Sequence, residues 1–192
     1  PTLSAALKAV AAGVDGLIVE GGEGGGFKNP TEVASMVLLP LVRSKVDVPI
    51  IAAGGFVDGK SMAAAFALGA EGIQMGTRMV SAKESPVHSN WKESIVKAQE
   101  TDTVFLNKFH SPALRALRTE KTSALEKASD RNIMGEFGDP IKLYFDGDME
   151  AAIPLSGQVA GRIESIESVE EILSNIKKEF FTSLESLSKT YL

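Results

Sequence analysis

The sequence predicts an α/β fold, a portion of a (β/α)8 barrel in which helices cover parallel strands. Three stretches predict it: residues 13–26 (GVDGLIVEGGEGGG), 48–55 (VPIIAAGG) and 69–78 (GAEGIQMGTR). Each is an apolar run that stops abruptly in glycine. Such a run suits a strand buried on both faces, and the glycine ending lets its backbone approach a ligand closely. The second and third stretches form a pair of the kind that binds phosphate at the end of a barrel.

The elements follow in order. Leu3, Ala6, Leu7 and Val10 share one helical face, so a helix is expected over about 3–12, leading into a strand at 14–19. A second helix at about 31–45 leads into a strand at 48–53, and a third at about 59–68 into a strand at 71–75. Gly13 and Gly69 follow helical runs, where a left-handed C-cap is easiest for glycine. Pro49 opens its strand, where a missing N–H costs least. The second half reads differently. Residues 88–100 are helical in pattern, 103–106 are a short extended piece, and 113–118 and 120–129 are read as helical. The stretch 130–162 is broken by glycine and proline into loops and short helices. From Ser168 onward, Val169, Ile172, Leu173, Ile176, Phe180, Leu184 and Leu187 keep helical spacing, with Glu and Lys opposite.

Composition excludes several functions. The 192 residues carry a formal net charge of −5 and no basic patch interleaved with aromatics, which argues against nucleic acid and against an anionic membrane surface. No apolar stretch approaches the ~20 residues of a membrane span. With no cysteine, disulfides, thiolate metal sites and cysteine nucleophiles are excluded. That usage fits a cytoplasmic protein, and no metal site is expected.

The glycine endings carry the chemistry. Gly54 and Gly55 end one strand before a helix that Asp58 can cap. About twenty residues on, Gln74, Met75, Gly76 and Thr77 repeat the device, with Thr77 adding a hydroxyl. Main-chain N–H groups at two neighbouring strand ends make a cradle for a dianion. The cluster at 21–26 is longer than a turn needs, and a flat ligand lying against the backbone accounts for its entropic cost better than a surface loop. No Gly-Lys-Ser/Thr ending follows, so it is not a P-loop, and contiguous glycines fit a Rossmann fingerprint poorly.

On these residues the chain resembles the nitronate monooxygenase family, formerly called 2-nitropropane dioxygenases, which includes the flavin-dependent enoyl-acyl-carrier-protein reductase II. The likeness runs over residues 5–81 in AAGG (52–55), AAAFALGAEG (63–72) and QMGTR (74–78), and more weakly in SPALRALR (111–118) and SGQVAG (156–161). It implies a TIM barrel that binds FMN, with this chain holding the last three strands. The family's phosphate-binding positions fall on Gly54, Gly55, Gln74, Met75, Gly76 and Thr77, and a glycine near the flavin ring falls on Gly25. Two departures stand out. Glu20 occupies the place of a ring-contacting glutamine, and Phe27 that of a proton-handling histidine. Phenylalanine neither accepts nor donates a proton, so no catalytic residue is assigned.

The resemblance implies an FMN-dependent oxidoreductase acting on a small molecule, through oxidation of alkyl nitronates by dioxygen. Reduction of an enoyl thioester with a nicotinamide donor is the alternative. A barrel that binds a phosphorylated ligand without redox chemistry is another. Among remaining polar residues, His88 reads as structural. Glu23 is either substrate-facing or a solvated loop carboxylate, Lys28 either neutralises an anionic substrate or faces water, and His110 carries no assigned role. The chain divides into residues 1–81, the barrel part, 82–162, a helical and loop-rich lid, and 163–192, a helix packed on the barrel. Three parallel strands cannot close a barrel of eight. The partner expected is therefore the N-terminal part of the same barrel, on a preceding segment or a separate chain. A homo-oligomer is compatible with the sequence.

Overall fold

The computed structural model describes residues 1–128 and 130–192. Its first half alternates helix and strand: α1 (Leu3–Ala11), β1 (Leu17–Glu20), α2 (Ser35–Arg43), β3 (Ile50–Ala53), α3 (Gly59–Ala67), β4 (Gly72–Gln74). The three strands form a parallel sheet in the order β1-β3-β4. In its register, Glu20 aligns with Ala53 and Ala53 with Gln74, so all three carboxyl ends lie at one level.

One face of this sheet carries the core. Val19, Ile50 and Ala52 pack there with Leu38, Leu39 and Val42 of α2. The other face is open: Ile18 and Ile51 stand side by side, 56% and 41% exposed. Strands apolar on both faces need cover on both, and the described residues cover only one.

The helix and strand boundaries shift for identifiable reasons. β1 begins at Leu17, whose amide donates to the Pro49 carbonyl. α2 begins at Ser35 instead of residue 31, because the Gly22 amide claims the Val33 carbonyl and the Glu23 carboxylate accepts from the Ser35 amide. Gly13 and Gly69 take the left-handed conformation expected after helical runs.

A second sheet, not expected from the sequence, joins the glycine-rich loop after β1 to the second half of the chain. β2 (Gly26–Lys28), β5 (Thr103–Leu106) and β6 (Ala113–Leu117) form an antiparallel sheet in the order β2-β6-β5. Residues 113–118 are thus a strand, not a helix. All five residues of β6 are buried, Arg115 among them, so the strand lacks the alternation of buried and exposed positions that would separate it from a helix. The helices α4 (Thr77–Val80), α5 (Ser89–Lys97) and α6 (Glu120–Lys127) complete this half with short turns at Met134–Glu136, Lys142–Asp146 and Gln158–Arg162. The predicted end of α6 at Ser129 lies outside the described residues.

α7 (Val169–Tyr191) starts where its capping box predicts, with the Ser168 hydroxyl accepting from the Glu171 amide. It lies against α3. Phe66 and Phe180 meet edge to face at 5.1 Å, and the Glu179 carboxylate accepts from the Gly59 amide at the start of α3. The guanidinium of Arg78, 6% exposed, joins the end of β4 to the segment before α7 through the Ser165 carbonyl and the Glu167 carboxylate. No helix among the described residues is long and apolar enough to cross a membrane.

Candidate functional site

The carboxyl ends of β1, β3 and β4 enclose a cleft of about 210 Å3. Lining it are Glu20, residues 24–26, residues 53–56, Gln74, Gly76, Thr77, Val80, Leu155, Gly157 and Val159. Six of the seven residues singled out in the sequence therefore converge: Gly25, Gly54, Gly55, Gln74, Gly76 and Thr77. Met75 is the exception. Its side chain packs away from the cleft, toward Ala82, Ile172 and Ile176, so only its main chain is available.

The loop after β3 turns on two left-handed residues, Gly54 at φ +76° and Gly55 at φ +90°. A Cβ on Gly54 would lie 2.9 Å from the Gly21 carbonyl oxygen and 3.0 Å from the Gly24 nitrogen, so a side chain is excluded on both counts. Among the described residues, the amides of Gly54, Gly55, Gly76 and Thr77 have no intramolecular acceptor. A Cβ on Gly76 would meet nothing within 4 Å. Open amides bordering open space are what an anion cradle requires. The Thr77 hydroxyl accepts from the Gly157 amide at 2.9 Å, which leaves its own O–H to donate.

The glycine cluster is explained mostly by packing within the chain, which corrects the expectation of a flat ligand along its whole length. A Cβ on Gly21 would lie 2.7 Å from the Ser35 nitrogen. One on Gly25 would meet the backbone of Ser156 and Gly157. One on Gly24 would lie 2.9 Å from the Lys28 ammonium nitrogen. Only at Gly26 is the space open.

Glu23 and Lys28 have duties that their sequence surroundings do not disclose, while His88 is structural as expected. Glu23 neither faces substrate nor floats in solvent. Both its carboxylate oxygens accept from the Ser35 amide at 3.0 Å, one also from the Ser35 hydroxyl, so it caps α2. The Ser35 hydroxyl lies 2.8 Å from the Gly54 carbonyl, tying α2 to the tip of β3. Lys28 is buried, bonded to the Gly21 carbonyl at 2.8 Å and paired with Glu20 at 3.1 Å. His88 is structural, its Nδ1 accepting from the Asn90 amide at the start of α5. His110 Nε2 is buried without a partner among the described residues, and it does not line the cleft.

The cleft's third wall is the turn within SGQVAG (156–161). The Gln158 amide donates to the Glu23 carbonyl at 2.9 Å, and Gly157 bonds Thr77, so this turn bridges the first and third strand ends. A glycine inside the SGQVAG stretch was the available signal. A larger groove of about 900 Å3 runs between α3 and α7. It lies far along the helices, is lined by Ala63, Ala64, Ala67 and solvent-facing side chains, and reaches no strand end.

Parallel βα units with a main-chain-lined cleft at their strand carboxyl ends define an α/β protein with a ligand site at that end. The particular kind follows from comparison with known proteins. Residues 1–179 match the family model described as nitronate monooxygenase, and the chain belongs to that family. A dehydrogenase of Mycobacterium tuberculosis, named for a 5-hydroxy-7a-methyl-1-oxo-octahydro-1H-indene-4-carboxyl-CoA, is 33% identical, over 95% of this chain and 64% of its own length. A probable nitronate monooxygenase of Staphylococcus aureus is 33% identical, over 86% of this chain and 50% of its own length. The structure of FabK from Thermotoga maritima superposes with a TM-score of 0.92 at 41% identity, covering 98% of this chain and 61% of that one. The chain therefore spans between half and two thirds of the length of these relatives. Membership implies a TIM barrel and a flavin cofactor. Within the described residues the barrel is an open arc of three strands.

Proposed function

We propose that the complete protein is an FMN-dependent oxidoreductase of the nitronate monooxygenase type, which oxidises alkyl nitronates with dioxygen. One observation carries the reading: unpaired amides at Gly54, Gly55, Gly76 and Thr77 border one cleft at adjacent strand ends. These donors, with the Thr77 hydroxyl, suit the phosphoryl group of a flavin mononucleotide. The cleft is smaller than the ~300–1,000 Å3 of complete small-molecule sites, which fits a cradle for the phosphate end with the rest of the site supplied by earlier strands.

FMN, when bound, supplies the two-electron chemistry. The chain's own residues hold and orient it. Gln74 offers an amide side chain to the cleft, Gly25 and Gly26 offer bare backbone, and Leu155, Val80 and Val159 line it with apolar side chains. Glu20 is the ionisable side chain lining the cleft, and its charge is matched by Lys28. No proton-transfer group stands at Phe27. A nitronate is already the conjugate base of its nitroalkane, so its oxidation requires no base from the protein. Neutral nitroalkanes require one, and they are expected to be poor substrates.

The second reading is reduction of an enoyl thioester by a nicotinamide donor, and the 41% identity to FabK favours it. That reaction must also deliver a proton to carbon, which Phe27 cannot do. Two assays separate the readings: oxygen uptake with ethyl nitronate, and NAD(P)H oxidation with and without crotonyl thioester. Oxygen uptake without thioester-dependent NAD(P)H oxidation supports the first; the reverse supports the second. The purified complete protein should be yellow, and a colourless protein that takes up no FMN would sink both in favour of a non-redox phosphate site.

We further propose that the partner of the open sheet face is the N-terminal part of the same barrel. Ile18 and Ile51, together with Glu20, Ala53 and Gln74 one layer above, are positioned as an interior wall awaiting its opposite side.

A further inference from the structure

The antiparallel sheet carries an apolar surface beside the cleft that phosphate binding does not use. In the β2–β6 register Phe27 stands opposite Leu114, and residues directly opposite in an antiparallel pair project from the same face. Leu114 is buried in a cluster with Leu106, Ile133 and Ile153, against which Phe137 and Leu155 pack. Phe27 stacks on Phe137 with ring centroids 6.1 Å apart and planes 12° from parallel. Its ring nevertheless remains largely open, with the residue 57% exposed. Leu155, which bridges Ala116 on β6 and packs on the same cluster as Phe137, lines the cleft. The apolar surface is therefore continuous from the cleft to both rings.

The charges of this sheet are spent on its opposite face. Alternation along β2 and β6 turns Lys28 and Arg115 away from Phe27. Lys28 is paired with Glu20, and Arg115 is bonded to the Gly22 carbonyl and the Glu32 carboxylate. Within β2, β5 and β6 the charged side chains are Lys28 and Arg115, and neither projects on the Phe27 side.

We propose that Phe27, Phe137 and Leu155 form the wall that receives the apolar part of the substrate, an alkyl chain or a carbocycle. The inference rests on the flavoenzyme reading above and specifies its substrate class: uncharged and apolar beyond the reacting group. Phe27 is thus a specificity residue. Continuity with the cleft argues for a small molecule as occupant, not a protein segment.

The test uses the complete FMN-loaded protein and three carboxylates as planar, unreactive probes: butyrate, octanoate and cyclohexanecarboxylate. Binding is read by isothermal titration calorimetry and by perturbation of flavin absorbance. A fully buried methylene is worth about fourfold in affinity. Partial burial should therefore make octanoate about tenfold tighter than butyrate, with cyclohexanecarboxylate between them. In Phe27→Ala/Phe137→Ala that ratio should fall below about threefold, while Phe27→Leu/Phe137→Leu keeps most of it, and FMN affinity stays unchanged in both. If the double alanine variant loses its native circular dichroism, the exposed single change Phe27→Ala is read instead. A ratio near one in the unaltered protein, or one that the alanine changes leave intact, overturns the proposal and points to a protein segment or solvent on this surface. Failure to take up FMN would refute the flavoenzyme reading separately, and calorimetry on the flavin-free protein would still decide the wall.

Discussion

Two glycines, 51 positions apart in the chain but both on the cleft, separate structural need from ligand need. At Gly25 an added Cβ runs into the backbone of Ser156 and Gly157, which cannot swing aside. Gly25→Ala is expected to destabilise by about 1–3 kcal/mol, as overpacking does, measured as a lowered denaturation midpoint. At Gly76 the Cβ enters open space at an ordinary φ of −94°. Gly76→Ala should leave the denaturation midpoint within about 0.5 kcal/mol of the parent yet weaken FMN binding by tenfold or more, read by quenching of flavin fluorescence. Equal affinity in the two proteins would mean that the space above Gly76 is not where the phosphate sits. Glu23 is the third informative residue. Glu23→Ala removes the cap of α2 and the fixed partner of Ser35, a loss of about 1–2 kcal/mol, and a stability change near zero would contradict the capping role.

At this scale the glycine pairs were legible because their backbone demand shows in the residue type. Glu23 and Lys28 were not. Each acts through a partner distant in sequence, Ser35 for one and Glu20 with Gly21 for the other, and a loop carboxylate looks the same whether it caps a helix or faces water. Gly25 was found, although the backbone of Ser156 and Gly157 explains it as directly as a ligand would.

Among the elements, α7 was the most legible, since its cap and its periodicity agree. Its anchorage is partly electrostatic. The Ser168 amide and hydroxyl, with Lys83, hold the Glu171 carboxyl down at about 2. A carboxyl depressed in the folded state stabilises fully above its unfolded value near 4.5 and loses that contribution as pH falls toward 2. The group is exposed, so solvent screens it and the effect is small. Acid titration from pH 5 to 2 should loosen the start of α7, seen as faster amide exchange at residues 169–172, and Glu171→Gln should weaken that pH dependence, leaving the part carried by the Glu84 carboxylate on the Val169 amide. Unchanged exchange across this window would show that apolar packing on α3 alone fixes the helix. The antiparallel sheet was the least legible element. β2 spans three residues and opens on a glycine, and β6 is buried on both faces around Arg115, so neither displays the alternation by which strands are read.

For the whole molecule, the parallel order of β1, β3 and β4 follows from alternating helices and strands, and the sequence displays that alternation. The open face follows from the strand count, since three parallel strands cannot close a barrel of eight, but which face is the open one does not show in the sequence, because a barrel interior and a helix-covered face are both simply apolar. If earlier strands cover it in the complete protein, Ile51→Asp places a carboxylate in a closed interior. Unfolding stability should then drop by several kcal/mol. A change within about 0.5 kcal/mol would mean that the face stays in water.

The central claim is that main-chain amides at two neighbouring strand tips grip the phosphoryl end of a flavin nucleotide. The direct measurement is the dissociation constant of FMN against that of riboflavin for the flavin-free complete protein, at one ionic strength. The two ligands differ only in the phosphate. Four amides and a hydroxyl aimed at a dianion should make FMN at least about 100-fold tighter, since charge-assisted hydrogen bonds are roughly twice as strong as neutral ones. Equal affinities would contradict the account and leave the open tips of β3 and β4 without a ligand.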